Sequence, residues 1–519
     1  MYPGAHAERN PDKPAIIMAE RGEVTTFAEF EATANRIAHW FRRSGLRPGD
    51  HVAFVMSNSV ELLECESAAE RSGLYYTPIS YHLSSDEVGY IINDCQARVV
   101  VMSDDLDHLD QFAEDLPARC ATVERWVIAG PKVPAPSFGR LEDLTADLPA
   151  VAIEDERLGA PMLYSSGTSG RPKGIFRSVP DVPPSASMSR VEFARRMFCL
   201  REGMVYLSPA PLYHSAPQAS VATALRLGAT SVIMERFDAA GYLQAIERYR
   251  VTHSQVVPTM FSRLLQLPEG VREAADLSSL ESIIHAAAPC PVHVKEQMIG
   301  WLGPIINEYY SSSEANGATF CDSNEWLAHK GTVGRAILGE ILVLDDEGGE
   351  RPSGVDGTIW FKGATSFEYF NDPAQTAANR SADGNMSTVG DVGHVDEEGY
   401  LFLTDRKTMM IISGGVNIYP QEVENVILTR EDVFDVAVIG VPNEDFGEEV
   451  KAVVQLVPGA LPTSERGAEI IAFCRSQLAH VKCPRTVDFV EELPRLPTGK
   501  LLKRLVRDSY WQGRSSTIV

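Results

Sequence analysis

The chain has no C-x-x-C pair. Its eight cysteines, Cys65, Cys95, Cys120, Cys199, Cys290, Cys321, Cys474 and Cys483, are scattered through 519 residues. That spacing speaks against a zinc site or a disulfide framework and for reduced thiols in a cytoplasm. No apolar run approaches the ~20 residues of a membrane-spanning helix, so no integral membrane segment is expected. The opening Met1 to His6 has no basic stretch leading into an apolar one, and no signal peptide is expected. Basic residues are scarce too: 47 Lys and Arg face 71 Asp and Glu, a formal net charge of -24. This excess of acid argues against nucleic acid or an anionic membrane as partner. It leaves room for a local cationic site that binds a small polyanion. No internal repeat or low-complexity tract is visible.

What is present reads as a globular protein of several domains. The length exceeds what one core supports, and 44% hydrophobic with 23% charged residues is ordinary composition. The first half alternates strand and helix patterns: strand 51–56, helix 60–71, strand 74–79, helix 85–94, strand 98–102, and later strand 230–234, helix 239–250, strand 254–257. Such alternation predicts parallel sheets covered by helices. Segments 130–139 and 178–189, rich in proline and small polar residues, read as exposed loops. After Leu403 the pattern changes to helix 420–430, strands 436–441 and 452–457, helix 469–481 and strand 487–493, enough for a small α+β domain. The charged run Asp405-Arg406-Lys407-Thr408-Met409 between two apolar strands is the expected joint.

The densest chemical signal is Tyr164-Ser165-Ser166-Gly167-Thr168-Ser169-Gly170-Arg171-Pro172-Lys173-Gly174. Its glycines permit a nest of converging N–H groups, while Thr168, Ser169 and Lys173 add donors and charge, so the run reads as a phosphate loop. It is not a Walker loop, because Lys173 lies between Pro172 and Gly174 with no hydroxyl after it. Pro172 biases Arg171 toward extended backbone, which favours a hairpin-like loop. A second cluster, Glu308-Tyr309-Tyr310-Ser311-Ser312-Ser313-Glu314, combines aromatic faces for stacking, hydroxyls for phosphate and carboxylates for magnesium. Asp391 sits in Gly390-Asp391-Val392-Gly393, suited to accepting two ribose hydroxyls. Lys500 sits in Pro497-Thr498-Gly499-Lys500. Cys290, in His285 to Pro291, reads as a small packed residue rather than a nucleophile.

Taken in this order, with PLYHSAP around His214, HAAAPCP, and DRKTMMIISGGVNIYPQEVE, these motifs cover the whole length, and the chain resembles the adenylate-forming superfamily of acyl-CoA synthetases, aryl-CoA ligases, luciferases and peptide-synthetase adenylation domains. The resemblance implies an α/β fold: a large N-terminal domain, 1–404, of parallel sheets covered by helices plus a distorted barrel; a hinge, 405–409, marked by Lys407 and Met409; and a small mobile α+β domain, 410–519. It implies that Ser165, Ser166, Gly167, Thr168, Ser169, Gly170 and Lys173 hold the phosphates of ATP, with Thr168 and Glu314 at Mg2+. Ala288, Pro289 and Tyr310 would sandwich adenine, Glu308 and Tyr309 would belong to the same nucleotide site, and Ser313 would bond the α-phosphate. Asp391 and Arg406 would contact ribose. His214, Ala287 and Ser311 would line the acyl pocket, Ser413, Gly414 and Gly415 the acceptor side, and Lys500 would bridge carboxylate and α-phosphate, with Lys500, His214 and Glu314 as the catalytic set.

The implied activity is ATP-dependent formation of an acyl-adenylate and its transfer to the thiol of CoA. The alternative is a coronafacate-type amide ligase, in which an amino acid amine accepts the acyl group. The small carboxylic acid itself is open, as is the choice between monomer and homodimer. Three residues depart from the common pattern. Met409 replaces the usual hinge Asp or Lys, Ser311 stands where glycine is common, and Ala315 follows Glu314 where glycine is frequent. Ser311 would shorten or polarise the acyl pocket and shift preference away from long chains.

Overall fold

The structure, a computed structural model, describes residues 2–165, 172–186, 189–364, 367–406, 409–414, 416–443, 445–495 and 501–511. The chain falls into two compact units: Met1–Val256 with Gln266–Ile284 and Ser366–Ala378, and Val257–Leu265 with His285–Thr365 and Asn379–Val519.

The first unit is built on parallel sheets, as the alternation predicts. Strand His51–Val55, helix Val60–Arg71, strand Tyr75–Pro78, helix Ser85–Asp94 and strand Val99–Ser103 follow one another within a residue or so of their expected bounds. Local chemistry sets the helix starts. The Ser59 hydroxyl accepts from Leu62 N–H, and Ser84 forms a reciprocal capping box with Glu87. Six strands order as Phe138–Arg140, Arg125–Ala129, Val99–Ser103, His51–Val55, Tyr75–Pro78 and Ala160–Pro161, every neighbour parallel. Every residue of Val99–Ser103 is buried, as a strand covered on both faces requires. A second parallel set joins His253–Val256, Val205–Ser208, Thr230–Ile233 and Pro14–Met18, with Val24–Thr26 antiparallel at the edge. One core of this unit includes Phe27, Phe30, Phe41, Phe54, Tyr76 and Tyr206, and a second includes Val55, Ile91, Phe112 and Ile128.

Several expected bounds are corrected. The helix from Ala239 stops at Tyr249 because Arg250 adopts a left-handed cap, φ 52°. Segment 178–189 is not simply exposed: Pro184 is buried and its carbonyl accepts from Arg226 Nη1 at 2.9 Å. Within 130–139, Phe138 is buried and opens a strand.

In the second unit the strands are mainly antiparallel. Ile306–Ser311 pairs with Ala318–Cys321, which pairs with Arg335–Leu338. Where a distorted barrel is expected, Glu340–Leu344, Gly357–Lys362, Asp391–Val395 and Leu401–Arg406 form an antiparallel sheet that Met386–Ser387 joins. The C-terminal part is α+β. Strands Val433–Asn443 and Gly447–Leu456 pair with each other, Thr486–Val490 lies parallel to the latter, and helices Pro420–Ile427 and Ser464–Gln477 belong to the same part. Helix Ser464–Gln477 begins five residues before its expected start because Thr463 caps it through Arg466 N–H. Helix 420–430 is shorter than expected, ending at Ile427, and strand 487–493 ends at Val490. Asp405 and Arg406 lie within a strand, opposite Val392 and Asp391. Lys407 and Thr408 lie outside the described residues.

Candidate active site

In the first unit, Ser166, Gly167, Thr168, Ser169 and Gly170 lie outside the described residues. The strands on either side of them are antiparallel, with Lys173 opposite Ser165 and Gly174 opposite Tyr164. The Tyr164 hydroxyl donates to Asp94 at 2.5 Å, tying the outgoing strand to the helix Ser85–Asp94. Gly174 permits that placement, since a Cβ there would meet the Tyr164 ring at 2.9 Å. The Lys173 ammonium lies 5.4 Å from the centre of the Tyr369 ring, a cation–π distance. His214 is half-buried at the N-cap of helix Ser215–Arg226, its ring 4.5 Å from that of Tyr213. One turn into this helix, Gln218 donates to buried Glu66 at 3.3 Å and to the Tyr76 hydroxyl at 3.2 Å. Burial pushes the Glu66 carboxyl up to about 8.

The second unit gathers most of the expected nucleotide residues. The strand Ser282–His285 ends in the turn Ala286-Ala287-Ala288-Pro289, where Ala287 takes φ 77°, a left-handed conformation unusual for a residue with a side chain. Ala287 and Pro289 are exposed and Ala288 half-buried. On strand Ile306–Ser311, the Tyr310 hydroxyl donates to Asp391 Oδ2 at 2.6 Å, and Arg406 Nε donates to Asp391 Oδ1 at 2.9 Å. Strand register explains this meeting, because Asp391 and Arg406 are directly opposed. Burial and the adjacent Asp391 carboxylate hold the Tyr310 hydroxyl well above its usual range, so it stays a donor. Each carboxylate oxygen keeps a second lone pair for a further hydroxyl.

The loop after Tyr310 is laced by its own hydroxyls. Ser311 Oγ donates to the Gly317 carbonyl at 2.8 Å, and Ser312 Oγ donates to Asn316 Oδ1 at 2.8 Å. Gly317 has no room for a side chain: a Cβ would lie 2.0 Å from Phe361 Cγ. This loop presents Ser313 and buried Glu314, with Ala315 in the left-handed region at φ 47°. A single carboxylate such as Glu314 fits Mg2+, which takes few protein ligands and fills the rest with water and phosphate oxygens.

Sequence reasoning missed Lys295, which sits on helix Val292–Leu302, is 0% exposed and places its ammonium 2.5 Å from Glu308 Oε2. The visible signal was a lysine among Val294, Met298 and Ile299 on an apolar helix. Glu308 is therefore enclosed and engaged within the protein, while Tyr309 and Tyr310 are half-buried. Cys290, read as a small packed residue, is half-buried, and burial pushes its thiol up and away from nucleophilic character.

On the acceptor side, Ser413 is buried, and the Gly414 N–H donates to the Phe446 carbonyl at 2.8 Å with φ 56° at the glycine. Met409 is half-buried. Gly415 and Lys500 lie outside the described residues.

The AMP-binding enzyme family model matches residues 4–369, and the model of that family's C-terminal domain matches residues 422–500. The chain belongs to the AMP-binding enzyme family. Among relatives of this AMP-binding enzyme, the long-chain-fatty-acid–CoA ligase FadD13 of Mycobacterium tuberculosis is 32% identical over 487 residues, 93% of each chain. The structure of ATP-bound MatB from Rhodopseudomonas palustris matches with a TM-score of 0.81 at 29% identity over 99% of each chain. The amide bond synthetase McbA from Marinactinospora thermotolerans matches with a TM-score of 0.80 at 28% identity, over 98% of this chain and 100% of its own. No helix among the described residues is long and apolar enough to cross a membrane.

Proposed function

We propose that this AMP-binding enzyme activates a carboxylic acid with ATP and passes the acyl group to CoA. A carboxylate oxygen attacks the α-phosphorus, the bond to pyrophosphate breaks, and an acyl-adenylate remains. The thiol sulfur then attacks the acyl carbon, and AMP leaves with the bonding electrons. The observation that carries the nucleotide half is the hydrogen-bonded chain Tyr310–Asp391–Arg406, an aromatic face beside a carboxylate with spare acceptor capacity. Lys173 and the hydroxyls of Thr168 and Ser169 would hold the leaving phosphates, and Ser313 the α-phosphate. Ala288, Pro289 and Tyr310 would enclose adenine. Mg2+ held by Glu314 and Thr168 would neutralise phosphate charge. Lys500 would stabilise charge that builds on the attacking carboxylate and the phosphoryl oxygens.

In this reading residues 1–404 form the adenylating domain, 405–409 the hinge and 410–519 the domain that carries Lys500. Rotation about the hinge would exchange Lys500 for the Ser413-Gly414-Gly415 side when thiol replaces pyrophosphate. His214 and Ala287 would border the acid. Ser311, whose hydroxyl is spent on the Gly317 carbonyl, would act there more by bulk than by polarity. Eight unpaired thiols suit a cytoplasmic setting.

The likeness to McbA supports a second reading, transfer of the acyl group to an amine. Incubation with ATP, Mg2+ and a panel of fatty, aryl and cyclic acids, with CoA or with mixed amino acids, separates the two by mass spectrometry. Thioester without amide is expected. Amide formed without CoA would establish the second reading, and absence of AMP with every acid would overturn both.

A further inference from the structure

Lys295, Glu308 and His285 form a buried cluster. The Lys295 side chain is 0% exposed and that of Glu308 6%; their charged atoms are 2.5 Å apart. The ammonium also lies 4.7 Å from the centre of the Trp326 ring. His285 Nε2 is 3.4 Å from the same Glu308 oxygen, and the ring packs edge-on to Phe261 at 5.3 Å. A lone ion here would be strongly disfavoured, so each charge is tolerable only because the other is in place.

Each member lies close in sequence to a nucleotide element. His285 ends the strand that leads into the Ala286-Ala287-Ala288-Pro289 turn, and Glu308 precedes Tyr310 by two residues on one strand. Lys295 comes from the helix that follows the turn. The ion pair thus joins helix and strand at a single point, with His285, held neutral by burial, packed beside it at the start of the turn. Apolar packing tolerates a slide of the strand, whereas a point-to-point charge pair fixes its register. A slip of one residue would turn Tyr310 to the opposite face and away from Asp391.

We propose that Lys295 and Glu308 are positioning residues for the adenine nucleotide, holding the Tyr310 strand in register with the Ala287 turn. The proposal rests on the nucleotide site described above. Neither residue touches ATP in this arrangement; both act through Tyr310 and the turn.

The test uses the full-length protein and three variants: Lys295→Met, Glu308→Gln, and the two combined. ATP binding without acid is measured by calorimetry, KM for ATP and for the acid by pyrophosphate exchange, and folding by thermal unfolding. Glu308→Gln keeps the shape of the side chain and remains informative should Lys295→Met fail to fold. ATP affinity is expected to fall roughly tenfold to a hundredfold in each folded variant, with KM for the acid held within about twofold. In the combined variant, which leaves no unpaired buried charge, thermal stability should recover relative to Lys295→Met while ATP binding stays weak. Unchanged ATP affinity in folded variants, or affinity that returns together with stability in the combined one, would overturn the positioning role. A wild-type protein that binds no ATP would instead remove the nucleotide reading itself.

Discussion

Replacing Glu66 by Gln should make the stability of the first unit markedly less sensitive to pH. Glu66 is buried on helix Val60–Arg71, and one of its carboxyl oxygens has no hydrogen-bond partner among the described residues. The other accepts from Gln218 at 3.3 Å. Desolvation dominates its titration and raises its pKa from 4.5 to about 8, with the Gln218 hydrogen bond opposing and the charge of Glu70 adding. The folded state therefore keeps a proton that the unfolded chain releases above pH ~4.5. Stability linked to this group is fully present below that value and is lost as pH rises toward 8, where the folded carboxyl also ionises. At ~1.4 kcal/mol per pH unit, the loss between pH 5 and 7 is about 2.5 kcal/mol, on the order of 5 °C in Tm for a body of this size. Gln at this position keeps an acceptor for Gln218 and cannot ionise. Thermal unfolding of both proteins at half-unit steps from pH 5 to 8 should give curves that diverge as pH rises, the variant being the more stable at pH 7. Parallel curves would refute the argument, because a titration confined to Glu66 cannot leave the difference between the two proteins constant.

Four further outcomes are expected. Lys500→Ala should nearly abolish adenylate formation yet leave thioester formation from a preformed adenylate largely intact, read by pyrophosphate exchange and by CoA consumption; unchanged overall turnover would remove Lys500 from its role. Gly317→Ala should cost about 3 kcal/mol in denaturant unfolding, since its Cβ would lie 2.0 Å from the Phe361 ring, which is 3% exposed and has no space to retreat. Ala287→Gly should stabilise by up to about 1 kcal/mol, the relief of a left-handed alanine at φ 77° less the added freedom of glycine in the unfolded chain; a destabilised variant would show that the turn is not strained. Lys503→Met should destabilise by roughly 3 to 5 kcal/mol, because it leaves the buried Glu424 carboxylate, now 2.8 Å from the Lys503 ammonium, without its cation.

Much of the fold was legible because its determinants are local. The strand patterns at 51–56 and 98–102 announce buried strands through rules that act over a few residues, and the Ser59 and Ser84 caps that the structure shows at the helix starts are equally local. Boundaries failed where a distant partner or a backbone exception decided them. Arg250 ends its helix by turning left-handed, Thr463 starts one earlier than the apolar pattern does, and Pro184 is drawn inside by Arg226.

The site divides in the same way. The sequence by itself determined that Lys173, Glu314, Asp391 and Lys500 lie in short motifs that match the family, and so which chemistry to expect of them. Only the tertiary structure decided how those groups are held. Asp391 meets Arg406 because two strands pair in one register, and Tyr310 reaches Asp391 from a separate sheet. Glu308, which sequence puts beside the aromatic pair as another polar ligand, is turned inward to Lys295. A carboxylate carries the same charge wherever it stands, so its role depends on which cation the fold places against it and whether water reaches the pair.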